Sequence, residues 1–499
     1  MQKELAELKT RLMEVSDLNA AAAVLGWDQA TYMPSGGAAA RGRQLATLNS
    51  LAQEKFTDPA IGKLLQTLEK EGLAPDSDEA ALIRKTRRDY DKAVKVPTEW
   101  VAKFSAHSAK SYQDWAEARP ANNFKAVADN LKVTLELSRE YADFFPGYKH
   151  IADPLIDGPD PGMKASDIRR VFGELREQLV PLVKTITEQK EADDSPLRKG
   201  FPEDEQLAFG LSVVRDFGYD FARGRQDKTH HPFCTTFSIG DVRITTRVKE
   251  NYLADALFST LHEAGHAMYE QGINSDYEGT PLASGTSSGV HESQSRTWEN
   301  IVGRSRGFWE HYFPKLQAAF PEQLTNVSLD DFYRAINKVE RSLIRTDADE
   351  VTYNLHVMLR FDFELQLLEG KLAIDDLPEA WHARYENDLG VRAPSDVDGV
   401  LQDVHWYAGT IGGAFQGYTL GNIMSGVFYE SALKAHPDIP SDVSRGKFSV
   451  LHAWLQENIY KYGSKYTPSE LIERVSGGPL RIEPYIGYLK KKYGELYQL

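Results

Sequence analysis

NYLADALFSTLHEAGHAMYEQG, residues 251–272, reads as one helix with chemistry on one face. Leu253, Leu257, Leu261 and Ala264 recur at helical spacing and predict a buried stripe from Asn251 to Glu270, closed by Gly272. Positions four apart lie one turn above each other, so His262 and His266 point the same way and can hold one metal ion between them. Glu263 stands beside them, close enough to act on a water at that ion without binding it. Two imidazoles and a neighbouring proton acceptor form the core of a zinc-dependent peptide hydrolase. The plain alternative is two surface histidines on an amphipathic helix. Gly265 weakens the helix by roughly 1 kcal/mol against alanine. It also permits another backbone to approach closely, as a substrate strand would need.

A catalytic zinc takes three protein ligands and keeps a position for water. The metzincin continuation asks for glycine at position 269 and histidine at position 272, and the chain has Tyr269 and Gly272. Glu270, Glu278, His291, Glu292 and Glu299 are the candidates for the third ligand, and spacing alone does not choose among them. Glu292 and Glu299 lie in HESQSRTWENIV, which reads as a second helix.

The chain has 499 residues and a net charge of −15. That balance argues against nucleic acid as a partner, since phosphate binding needs a basic face. Cys234 is the only cysteine, so no intrachain disulfide forms, which fits a reducing cytoplasm. The opening MQKELAELKTRLMEV has no apolar signal core, and no apolar run approaches the roughly 20 residues of a membrane span. Helical patterning without low-complexity linkers predicts a single mainly α body over residues 1–499, with room for two helical lobes around a deep cleft.

Outward from the metal helix, Leu5, Leu8, Leu12 and Val15 predict an amphipathic helix at the start. LGWDQATYMPSGG (Leu25–Gly37) reads as a loop with Trp27 and Tyr32 as core anchors. From about Ala38 to Phe145 successive helices are expected, with Pro97 and Pro120 near starts. Pro154–Gly162 reads as a loop, and a charged helix is expected from about Ser166 to Glu191, with EADDSP at its solvated end. HPFCTTFSIGDVRITTRV (residues 231–248) alternates and is β-branched, predicting an antiparallel hairpin of Thr235–Ile239 and Val242–Val248 turning at Gly240-Asp241. Its edge could pair with an extended peptide, or it could be purely structural. Leu329–Gly370 reads as one long helix or two in succession. It carries Arg345, Asp347, Asp349 and His356, polar groups that need partners on a buried helix. Gly399–Asn422 reads as a mobile loop feeding a helix.

Several of these stretches together resemble the carboxypeptidase Taq family of zinc metallocarboxypeptidases. The resemblance rests on His231-Pro232-Phe233, Asp241–Thr245 (DVRIT), HEAGH, His291–Gln294 (HESQ), Ile344–Asp349 (IRTDAD) and Gly399–Trp406 (GVLQDVHW), in the family's order across essentially the whole chain. It implies a large helical gluzincin-type fold similar to neurolysin, a homodimer, and removal of single C-terminal residues from peptides with broad specificity. It implies Zn²⁺, with Co²⁺ able to substitute, held by His262, His266 and Glu292, with Glu263 as the general base. By the same resemblance Arg345 anchors the substrate's terminal carboxylate. The loop after Trp406 reads TIGGAFQGY where some members read closer to FGYFP; Tyr418 rather than Tyr407 is taken as the oxyanion donor, with His405 beside it. Arg243 and His231 are substrate-binding candidates whose plain roles are to brace the hairpin and to hydrogen-bond locally. Arg345 could likewise serve only as an ion-pair partner of Asp347 or Asp349. An endopeptidase or dipeptidyl carboxypeptidase on the same scaffold, and a non-catalytic helical protein with a structural metal, are the competing readings.

Overall fold

Helices succeed one another from Gln2 to Tyr497 around one small sheet in the computed structural model of the protein, which describes residues 1–499. Helix covers 66 % of the chain, so the mainly α expectation holds. No helix is long and apolar enough to cross a membrane. Burial is organised as a core of 95 residues and a satellite of 13. The satellite joins Leu8, Leu12, Ile61, Leu65 and Tyr90 of the N-terminal helices to Ile239, Ile273, Tyr277 and Leu282. The N-terminal helices are thereby seated on the hairpin turn and on the segment that follows the metal helix.

The first helix is longer than its stripe predicts. It runs Gln2–Thr31 and takes in half of the expected loop, because no breaker precedes Pro34 and the lone Gly26 costs only about 1 kcal/mol. Trp27 is buried as expected, whereas Tyr32, at the helix end, is 60 % exposed and is no core anchor; its hydroxyl donates to Asp227 instead. Pro97 caps the helix Thr98–Ala118, but Pro120 follows that helix rather than starting the next. The Pro154–Gly162 stretch contains one helical turn, Asp153–Ile156. The charged helix runs Ala165–Thr187, so EADDSP lies beyond its end, where Asp193 accepts from Ser195 N–H at 2.9 Å.

The metal helix spans Leu253–Gln271, and its predicted stripe of Leu253, Leu257, Leu261 and Ala264 is buried. Gly265 does admit a backbone, although not a substrate strand. A Cβ there would lie 2.6 Å from Ser295 Cα and 2.7 Å from Gln294 O, on the helix Ser288–Arg296 that carries Glu292. Gly421, on the buried helix Gln416–Ala435, approaches the same helix from the other side: its Cβ would fall 2.5 Å from Glu292 Cβ. Glycine on both flanks lets the Glu292 helix sink to the depth of the histidines. That helix starts where Ser287 Oγ accepts from Val290 N–H at 3.0 Å, and it continues as π-helix through Thr297–Val302.

The sheet has three strands and is mixed, a correction to the expected antiparallel pair. The hairpin is present as β2 (Cys234–Ser238) and β3 (Asp241–Thr246), with Thr235 opposite Arg243 and a bulge before Ser238. A short strand, β1 (Gln226–Lys228), pairs parallel to β3 on its other side. Its three residues are all polar, so no alternation announced it. β2 is left as an edge strand lying against the metal helix.

Leu329–Gly370 forms two helices, Leu329–Ile336 and Tyr353–Leu368, parted by an irregular segment with a single turn at Arg345–Asp347. The polar groups of IRTDAD therefore sit on a connector, not on a buried helix. Asp349 ends it: its Oδ1 accepts from Val351 N–H (2.9 Å) and Thr352 N–H (3.0 Å), which starts the next helix. Gly399–Asn422 is largely packed: Trp406, Tyr407, Ile411 and Phe415 are buried, and Trp406 Nε1 donates to Glu364 Oε1 at 2.9 Å.

Candidate active site

Of the five candidates for a third ligand, the fold selects one. Glu292 Oε2 lies 3.6 Å from His262 Nε2 and 3.5 Å from His266 Nε2, so three ligand atoms converge from the two glycine-coupled helices. The other four are occupied elsewhere. Glu299 Oε2 is 2.9 Å from His262 Nδ1, on the far side of that ring. His291 Nδ1 is 2.7 Å from His266 Nδ1, also behind the ring, and its Nε2 is 2.7 Å from Glu270 Oε1. Glu278 accepts from Ile239 N–H at 2.9 Å, away from the histidines.

Two imidazole nitrogens and one carboxylate oxygen, with their remaining atoms engaged, are a donor set that fits a divalent cation. Each imidazole presents Nε2 while its Nδ1 is hydrogen-bonded. Glu292 presents Oε2 while its Oε1 accepts from Arg296 Nε at 2.7 Å. Burial pushes the Glu292 carboxyl up, but Arg296 and His262 more than offset this and hold it well below its ordinary value. Glu299 is brought to about 2 against its own burial by Arg296 and His262. The two histidines diverge. Burial disfavours the charge on both, yet Glu292 and Glu299 raise His262 to about 8, whereas His266, facing His291, falls to about 4. Glu263 is 7 % exposed, and burial, tempered by His262, raises its carboxyl to about 7. A carboxylate tuned near neutrality beside three groups that could hold a metal ion is suited to general acid–base work.

A second cluster forms around Arg345. Its expected partners, Asp347 and Asp349, do not hold it. Instead Nε and Nη2 donate to Asp403 Oδ1 at 3.1 and 2.7 Å, and Nη1 donates to the Tyr353 hydroxyl at 3.2 Å. Arg360, fully buried, donates to the other Asp403 oxygen. Burial works against the Asp403 charge, but Arg360 and Arg345 hold the carboxyl far below the usual range. Three of the five guanidinium N–H groups of Arg345 are thus used, leaving one on each terminal nitrogen. The two clusters are continuous: Arg296 also lies 4.6 Å from the Tyr353 ring centre.

His405 Nε2 is 3.3 Å from the Tyr418 hydroxyl. Burial and then Arg345 lower His405 to about 4, so it is neutral, and burial raises Tyr418 to about 12, so it keeps its proton. Tyr418 lines, with His266, Glu292, Lys85 and Asp89, a polar groove of about 510 Å³. Tyr407 points elsewhere: its ring stacks on Trp115 at 6.0 Å and its buried hydroxyl has no partner. Arg243 donates twice to Asp241 at 2.8 Å and lies between the Trp27 and Phe237 rings, bracing the hairpin against the first helix. His231 is exposed as a residue, but partial covering of its ring and the neighbouring Arg247 and Arg345 lower its pKa.

Sequence reasoning missed Asp403, Arg360 and Arg296. Asp403 stood in GVLQDVHW, and a buried arginine always asks for a carboxylate, yet nothing local connects positions 345, 360 and 403. Arg296 had a signal that was readable: it lies four residues after Glu292 on one helix face.

The sequence profile of the family described as carboxypeptidase Taq (M32) metallopeptidase matches residues 7–493. The thermostable carboxypeptidase 1 of Thermus thermophilus is 42 % identical over 497 residues, covering 97 % of either chain. Carboxypeptidase 1 of Bacillus subtilis is 34 % identical, covering 100 % of this chain and 99 % of its own. The crystal structure of an M32 carboxypeptidase from Deinococcus radiodurans R1 superposes with a TM-score of 0.97 at 51 % identity, covering 100 % of both chains.

Proposed function

The chain belongs to the carboxypeptidase Taq (M32) metallopeptidase family and is a metal-dependent carboxypeptidase, a peptide hydrolase; from there we propose that His262, His266 and Glu292 hold zinc, that Glu263 moves the proton, and that Arg345 reads the substrate's terminal carboxylate. The convergence of His262 Nε2, His266 Nε2 and Glu292 Oε2 carries this reading, with Glu263 buried in the same cluster. When bound, the ion supplies Lewis-acid polarisation of the scissile carbonyl and makes water a nucleophile at neutral pH. Glu263 takes a proton at its carboxylate from the attacking water and delivers it to the departing amine nitrogen, tasks that a carboxyl near pH 7 performs in both directions. Tyr418, protonated and 3.3 Å from the neutral His405, would donate a hydrogen bond from its hydroxyl to the carbonyl oxygen as charge develops there, keeping its proton. Arg345, held by Asp403 and Tyr353 before substrate arrives, offers the free edge of its guanidinium to the α-carboxylate as a two-bond fork. Single residues then leave from the C-terminus, and the polar groove takes the rest of the peptide.

The test uses metal-free protein reloaded with Zn²⁺ and one N-blocked peptide, supplied as the free acid and as the C-terminal amide. Mass analysis should show stepwise loss of single residues from the acid and cleavage of the amide slower by about 10²-fold, the scale of losing a charged hydrogen-bonded contact. Equal cleavage of the two would hand the site to an endopeptidase reading and return Arg345 to a structural ion pair. Full turnover by protein that elemental analysis shows to be metal-free would remove the triad.

A further inference from the structure

His262 and His266 are steadied from behind by different means. A carboxylate, Glu299, stands directly at Nδ1 of His262 at 2.9 Å. At His266 a second imidazole intervenes: the two Nδ1 atoms of His266 and His291 are 2.7 Å apart, and His291 Nε2 is 2.7 Å from Glu270 Oε1. A neutral imidazole has one N–H and one acceptor nitrogen, and two nitrogens in hydrogen-bond contact share a single proton. For His266 to offer the lone pair of Nε2 to a metal, its proton must be on Nδ1. His291 must then accept at Nδ1 and carry its own proton on Nε2. That arrangement requires a pure acceptor at Nε2, which the Glu270 carboxylate is. Glu270 Oε1 also accepts Gly285 N–H at 2.8 Å, and a Cβ on Gly285 would fall 2.5 Å from His291 Cδ2 and 2.8 Å from Tyr269 Cε1, so the His291 ring is clamped in place.

We infer that Glu270 and His291 are positioning residues: Glu270 fixes the tautomer of His291, and His291 in turn fixes the tautomer of His266 that presents Nε2 to the metal. This rests on His266 being a ligand, as proposed above. Neither is among the converging ligand atoms, although the His291 ring also lines the groove. Their effect is on how much of the metal-free protein already has its ligands set for binding.

The experiment measures Zn²⁺ affinity of metal-free protein by competition with a chromogenic chelator, and the protonation site of His266 by ¹⁵N spectra of histidine-labelled, metal-free protein. Glu270→Leu and His291→Leu should each weaken binding by about 10–100-fold, the usual scale for the partners of metal ligands. Glu270→Gln should stay within a few-fold of the parent, because its amide oxygen can occupy the Oε1 position and accept both the His291 and Gly285 protons. Glu270→Leu combined with His291→Leu should be no worse than His291→Leu alone. The spectra should put the His266 proton on Nδ1 in the parent and in Glu270→Gln, and spread it over both nitrogens in Glu270→Leu. A role in packing alone would make glutamine and leucine similar in affinity and leave the spectrum unmoved, and either result overturns the relay. Glu292→Gln is the control: if it leaves Zn²⁺ affinity unchanged, the triad itself is wrong and the relay goes with it, whereas a weakened Glu292→Gln beside unaffected Glu270 and His291 variants rejects the relay alone.

Discussion

The metal cluster and the arginine cluster sit side by side, joined by Arg296 and Tyr353, yet they are built in opposite ways. His262, Glu263, His266, Glu292 and Glu299 stand on helices that are neighbours in the chain, and helical spacing places them. Arg345, Arg360, Asp403, His405 and Tyr418 come from a connector, a buried helix, an irregular segment, the single turn after it and a further helix, and only the tertiary fold assembles them. The charge pattern is reversed as well. The carboxyl groups of Glu263, Glu292 and Glu299 gather around the two imidazoles of the first, as the proposed cation site needs. In the second, one carboxylate is shared by two guanidiniums, which leaves a positive surplus, as the proposed anchoring of a terminal carboxylate needs. If the proposed roles hold, chemistry and recognition are separable, and perturbing each half should leave a distinct signature.

The largest effect belongs to the metal half. Glu263→Gln keeps size and removes the proton acceptor, so kcat should fall by about 10²–10⁴-fold. Zn²⁺ affinity should change little, since Glu263 is not among the converging ligand atoms. The residual preference for free acids over amides should survive, because Arg345 is untouched. Steady-state kinetics on the acid and amide pair measures both quantities; a collapse of the preference along with the rate would show that the halves do not act separately.

In the arginine half, removal of the reader and removal of its support should differ. Arg345→Ala leaves Asp403 paired with Arg360, so the fold should persist while kcat/KM for free acids drops by roughly 2–4 kcal/mol and amides change little. Asp403→Asn leaves two buried guanidiniums without their shared charge, and thermal or denaturant unfolding should register a loss of about 3–5 kcal/mol. If Asp403→Asn unfolds like the parent, the carboxylate is not what holds Arg345 in place.

What the sequence made legible follows the same division. The HEAGH helix, its buried stripe and the short list that contained Glu292 were available from spacing, because a helix repeats its own geometry every turn. Choosing Glu292 by geometry required knowing that Gly265 and Gly421 admit its helix, contacts that glycine permits but does not specify. Arg345 was legible as a charge that needs a carboxylate, and Asp347 and Asp349 stand nearest to it in the chain. Asp349 spends both oxygens starting the helix at Tyr353, and the true partner lies at Asp403. β1 escaped because three polar residues pairing with an interior strand show no period of their own.

The smallest effect concerns pH, and it separates the halves by titration alone. In the metal-free chain the pKa of His262 is raised to about 8: burial pulls it down, but Glu292 and Glu299 more than compensate. Below that value His262 carries a proton that the ion must displace, since ligands bind as deprotonated groups. His266, at about 4, is already neutral through the same range and adds no further proton. Zn²⁺ affinity should therefore fall by about tenfold per pH unit from 8 to 7, the dependence expected for one released proton, and at least as steeply below 7, where Glu263 beside His262 also takes up a proton; the dependence should vanish above 8. The arginine half should not follow. Arg345 stays charged, and His405, at about 4, stays neutral, so affinity of metal-free protein for an N-blocked amino acid carrying a free carboxylate should be flat from pH 6 to pH 8. Chelator competition and calorimetry across that range read the two slopes directly. Equal slopes would mean that one titrating group governs both halves, and the separation drawn between them would fail.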